Sequence, residues 1–163
     1  MSSEARVRKR SGRGTPVPVA PQSQLNPLEV ESDLPAGGGN AVSVVIPAGD
    51  YIDVARLVTG GFAAQLSLGF ETVDDIQLAI ELIVRTIPLA GSRVTVALSS
   101  RPDALTITIG TFEPDSVEPG LNAVVRDGLA LESVLHRLVD AVEVIGGSSP
   151  ALILRKRLEA ARA

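Results

Sequence analysis

Residues able to do chemistry are few in this chain, and their spacing is informative mainly for what it withholds. His136 is the only histidine. It lies in the middle of a helical pattern, with no serine or carboxylate at an obvious triad spacing, so a surface or half-buried helix residue is a better description of it than a general base. Glu81 and Arg85 are four apart, the spacing of an ion pair along one helix face. Asp74 and Asp75 are adjacent, so on a helix they point in different directions and make a poor start for a hard-metal site. Glu113, Asp115 and Glu118 are acidic residues of one loop. Neither a GxGxxG following a strand nor a GxxxxGK[ST] phosphate loop occurs.

The elements that must position these groups follow from periodicity. Ala41 to Pro47 (AVSVVIP) is a β-branched run of strand type, stopped by Pro47, Gly49 and Asp50. Tyr51 to Leu68 has a helical pattern with Ile52, Ala55, Val58, Phe62 and Leu66 on one face. The pair Gly60, Gly61 weakens it by about 1 kcal/mol per glycine relative to alanine and suggests close packing or a kink. Glu71 to Gly91 is the longest helical pattern, with Ile76, Ile80, Ile83 and Ile87 recurring and Leu78, Ala79, Leu82 and Val84 widening the stripe. Such a helix must be covered on more than one side. Thr72 and Asp75 suggest an N-cap pair, Asp74 and Asp75 suit the first turn, and Pro88 supplies the stop.

Arg93 to Leu98 and Ala104 to Phe112 alternate with period two around Ser99 to Asp103 and predict a β-hairpin. Glu113 to Asp127 reads as a polar loop, and Leu129 to Val142 as a third helix with Leu131, Val134, Leu135, Leu138 and Val142 inward. Val142 to Ile145 and Ala151 to Leu154 follow as short strands, and Arg155 to Ala163 as a charged, fraying end. The expected fold is α+β: a two-layer sandwich with helices on one face of a mixed, mostly antiparallel sheet. The expected organisation is a disordered Pro/Gly-rich leader over residues 1–40, one domain over 41–157 and a frayed tail over 158–163.

Composition narrows the function classes. Aromatics make up 2% of the 163 residues, too few for a base-stacking platform. With no cysteine there is no disulfide, thiolate metal site or cysteine nucleophile. No apolar run is long enough to span a bilayer and no apolar segment follows the basic N-terminus as in a secretory signal, so the expected location is cytoplasmic. Within residues 1–20, five basic residues (Arg6, Arg8, Lys9, Arg10, Arg13) against Glu4 give +4, which leaves −8 on the rest of a chain of net charge −4. An acidic body does not suit a nucleic-acid reader; any such contact falls to the basic leader.

From about Ser43 to Arg157 the arrangement resembles the anti-sigma-factor serine kinase family, small members of the histidine-kinase-like (GHKL) ATPase superfamily. The resemblance is carried by VVIPAGDYIDVARLVTGGFAAQL for the opening strand and helix, by DDIQLAIELIVRTI for the helix bearing the N-box, and by VRDGLALESVLHRLVDAVEV for the lid end, last helix and following strand. It implies a Bergerat-type pocket binding ATP and Mg²⁺. In the family the N-box helix supplies a glutamate base and, one turn on, an asparagine that holds Mg²⁺. Here those positions carry Leu82 and Thr86. A one-residue slip offers Glu81 as base but sets Arg85 where the metal needs oxygen. The aspartate that reads adenine is replaced by Thr111, followed by Phe112 and Glu113. Of the glycine-rich lid, Gly128 matches and Ala130 does not.

Three altered motifs imply a degenerate member, a pseudokinase without catalytic residues, in which Thr86, Thr111 and Gly128 are remnants of the ATP pocket. Family members use an arginine of the first helix to contact the sigma factor or its STAS-type anti-anti-sigma antagonist, and Arg56 falls on that position. Homodimerisation through the sheet and first helix is also implied, as is a role in transcription regulation by partner switching. Two alternatives stay open. One is an active kinase using ATP and Mg²⁺, with Glu81 as base and Thr86 as metal ligand. The other is a scaffold whose basic leader binds nucleic acid.

Overall fold

The computed structural model describes residues 39–47 and 49–158; the leader over residues 1–38, Ala48 and the last five residues lie outside it. Among the described residues, seven strands and four helices follow in the order β1 (Ala41–Pro47), α1 (Tyr51–Gln65), α2 (Phe70–Thr86), β2 (Arg93–Ser100), β3 (Ala104–Gly110), α3 (Val117–Asn122), β4 (Val124–Arg126), β5 (Leu129–Ala130), α4 (Leu131–Leu138), β6 (Ala141–Ile145) and β7 (Ala151–Arg157). Five strands form one sheet in the order β1-β2-β3-β7-β6, every neighbouring pair antiparallel. The fold is an α+β two-layer sandwich.

Strand periodicity explains the layering. Each strand of the sheet turns alternate residues toward the helices, and the register aligns them in two rows: Val44, Val96, Ile109, Leu152 and Val144, then Val42, Leu98, Ile107, Leu154 and Val142. The central members of both rows are buried, as are Ile76, Ala79, Ile80 and Ile83 of α2 above them. α2 packs against α1 on one side and α4 on the other, which accounts for its wide apolar stripe. Burial of these Ile, Leu and Val side chains, at about 25 cal/mol per Å² of apolar surface, favours folding and is what holds the two layers together.

Several local expectations are corrected. α2 begins one residue before Glu71 with Gly69 at the N-cap, extended and without a side-chain cap, so Thr72 lies inside the helix; the first-turn acid is Glu71. Asp75 instead meets Lys156 of β7 at 3.1 Å, and the same ammonium donates to the Leu138 carbonyl at 2.7 Å. That contact ties α2, α4 and the sheet together, and it places Arg155–Arg157 in β7, not in a frayed tail. Ser99 and Ser100 belong to β2, and β3 stops at Gly110, with Phe112 reduced to an isolated bridge to Leu89. α1 ends at Gln65, short of Leu68, where Ser67 turns to φ 54°. Close packing is not the reason for Gly60 and Gly61, since a Cβ at either would meet nothing within 4 Å.

The expected loop over 113–127 contains α3 and β4. Pro119 is tolerated because it falls in the first turn of α3, where no intrahelical donor is needed. The third helix does not begin at Leu129. Asp127 and Gly128, at φ 49° and 76°, form the two-residue turn of a hairpin between β4 and β5, and α4 runs only from Leu131 to Leu138.

Candidate functional site

The sequence-derived positions fall on two places in the fold. The first is the C-terminal end of α2. Thr86 is its last residue and half-buried, while Leu82, one turn earlier, packs its side chain against the core. Beyond the helix, Ile87 is buried and the backbone is strapped to the segment leaving β3: Ala90 N–H donates to the Thr111 carbonyl at 3.0 Å and Glu113 N–H to the Pro88 carbonyl at 2.9 Å. Phe112 N–H donates to the Pro150 carbonyl at 2.9 Å, and the Phe112 ring is fully buried. α3 closes the same end. Its Val117 and Leu121 are buried, and Gly120 passes so close to Ile87 that an added Cβ would stand 2.7 Å from Cγ1.

The end of α2 is therefore packed with hydrocarbon. Thr86 and Thr111 border this packing, and the Thr111 carbonyl is already engaged. Gly128 is exposed in the β4–β5 turn, where its positive φ gives glycine a structural purpose. Among the described residues no group of three or more His, Asp or Glu side chains is arranged to hold a metal ion. Glu113, Asp115 and Glu118 stay exposed in and around α3, and His136 is exposed on α4, 4.0 Å from Glu132 one turn away.

The second place lies between α1 and α2, and here the structure joins residues the sequence treats separately. Arg56 of α1 reaches Glu81 of α2, with Nη2 3.1 Å from Oε2, and Arg85 Nη2 lies 3.0 Å from Oε1 of the same carboxylate. Gln77 Nε2 also donates to the Arg56 carbonyl at 3.3 Å, fastening the two helices side by side. Both guanidinium side chains are 56% exposed, against 16% for Glu81. Beside them is a cleft lined by Tyr51, Ile52, Ala55, Gln77 and Ile80, with about 10 Å³ of free space. That is room for a single water, far below the few hundred Å³ of a typical small-molecule pocket. Both oxygens of Glu81 are held by guanidinium groups, one from each helix.

Sequence reasoning identifies the Glu81 to Arg85 pair from its spacing and singles out Arg56 by resemblance, but misses the contact of Arg56 with Glu81, 25 residues away. No local pattern signals a contact across two helices. Comparison with protein-family models and with curated proteins gives no match to this chain. No helix among the described residues is long and apolar enough to cross a membrane.

Proposed function

We propose that the chain is a degenerate relative of the anti-sigma-factor serine kinases, acting in the cytoplasm as a regulatory binding protein that sequesters a transcription regulator through protein contacts, without phosphotransfer. The observation that carries this reading is the contrast between the two places just described. Where a catalytic helix would hold its base and metal ligand there are Leu82, against the core, and Thr86, and Phe112, Ile87 and α3 fill the end of the helix with apolar side chains. A nucleotide there would displace buried hydrocarbon.

Arg56, by contrast, remains exposed on α1 and is held in place from α2. A charged side chain ordered by a neighbouring helix loses less conformational entropy on binding, which favours it as a contact for a partner. The partner class is a sigma factor or a STAS-type antagonist, and the protein pairs with a second copy of itself through the sheet and α1. The test is affinity capture from the native cell with the full chain and with Arg56→Ala, followed by identification of the captured proteins. The expected result is a sigma factor or STAS-type protein recovered by the wild type and lost with the variant. Recovery of neither class would overturn the reading.

A further inference from the structure

Arg56 and Arg85 belong to different helices yet close on one carboxylate, at 3.1 and 3.0 Å from its two oxygens. We propose that the two arginines together form a recognition site for a carboxylate side chain of a partner protein, with Glu81 as the internal carboxylate that sets them at the right separation. This rests on the partner surface proposed for Arg56 and specifies its chemistry. A guanidinium has five N–H donors, and contact with one oxygen leaves most of each fork facing solvent. With both arginine side chains 56% exposed, those donors are accessible.

Charge selects the occupant. Two guanidinium groups and one carboxylate leave a net +1 on a domain in which residues 41–157 carry nine basic against fourteen acidic side chains, −5. A positive site on a negative surface rejects most acidic approaches and accepts one aligned with the pair. The fold does not depend on this cluster, because exposed ion pairs contribute only about 0–1 kcal/mol each. Apolar surface lies alongside: Tyr51 and Ile52, both half-buried, line the shallow cleft next to the pair. The matching partner segment presents a glutamate or aspartate with a leucine-like side chain one helical turn away.

The probe is a short blocked peptide carrying one glutamate and one leucine four residues apart, with a glutamine version as control. It is titrated into the full chain while the arginine Nε–Hε signals are followed by NMR. Saturable, joint shifts of Arg56 and Arg85 are expected. Arg85→Gln and Arg56→Gln should each weaken the peptide about fivefold. Equal binding of the glutamine peptide, an unmoved Arg85 signal, wild-type affinity in Arg85→Gln or no binding at all would overturn the proposal. The two readings fail separately. A captured regulator that depends on Arg56 but is indifferent to Arg85→Gln sinks the pair alone. Peptide binding through both arginines without any captured sigma factor or STAS-type protein sinks the regulatory reading alone.

Discussion

Exchanging glycine for alanine at Gly120 and at Gly60 makes the same chemical change with opposite expected sign. At Gly120 the new Cβ would stand 2.7 Å from Ile87 Cγ1 and 3.4 Å from Ile87 Cβ and Cδ1. Ile87 is itself 1% exposed and walled by the core, so the clash cannot be relieved by swinging it into solvent. Forcing one extra carbon into such a place costs about 1–3 kcal/mol, and the helix propensity of alanine returns roughly 1 kcal/mol at most in a six-residue helix. The net expectation is destabilisation by about 1–2 kcal/mol, or roughly 4–8 °C in Tm for a domain of this size. At Gly60, inside α1 with nothing within 4 Å of the added carbon, the same change should stabilise by up to about 1 kcal/mol. Urea and thermal unfolding of the two variants beside the wild type measure both effects. Equal or greater stability of Gly120→Ala would refute the close contact of α3 with the end of α2, and with it the packed state of that region.

Lys156→Met should destabilise by about 1–2 kcal/mol, measured by urea unfolding, because it strips both the Asp75 carboxylate and the Leu138 carbonyl of their donor in a part-buried place. Asp140 is held below its ordinary value of 3.8, first by the Arg157 backbone N–H at 2.7 Å and then by the Arg157 side chain, with partial burial opposing. A carboxylate depressed in this way stabilises the folded state above its unfolded pKa and loses that contribution as pH falls through its folded pKa. Asp140→Asn should therefore be less stable than the wild type at pH 7, by at most about 1 kcal/mol because solvent screens this exposed pair, and the gap should close in acid below pH ~4. A gap independent of pH would show that the carboxylate charge is not the cause. Gly128→Ala should cost about 1 kcal/mol, because the turn holds this residue at φ 76°; unchanged unfolding would exclude that conformation.

The layers of the sandwich were legible because each rests on a period. Val42, Val44 and Ile46 of β1, the alternation through β2 and β3, and the isoleucines of α2 mark their buried faces in the sequence itself. α3 is hidden by its own composition: in VEPGLN only Val117 and Leu121 are apolar, and a proline with a glycine suggests a loop until burial against Ile87 selects the helix. The β4–β5 hairpin carries a legible signal, an Asp-Gly dipeptide between Val125 and Leu129. Treating Gly128 as a lid remnant obscures it.

Of the candidate site, the apolar character of Leu82 and Phe112 could be read directly, whereas their packing depends on which segments the topology brings together. The meeting of Arg56 with Glu81, and of Lys156 with Asp75 across 81 residues, is a tertiary fact with no local trace. Charged residues on helix faces and strand ends look alike in sequence whether they face water or one another. Register and helix order decide between those states, and neither is encoded within a window of a few residues.

The central proposal is that the apolar packing at the end of α2 leaves no place for a nucleotide. Calorimetric titration of the full chain with Mg-ATP, and with ADP, tests it most directly. The expected result is no heat beyond dilution with either nucleotide, with or without Mg²⁺. Saturable, Mg²⁺-dependent binding of ATP would contradict it.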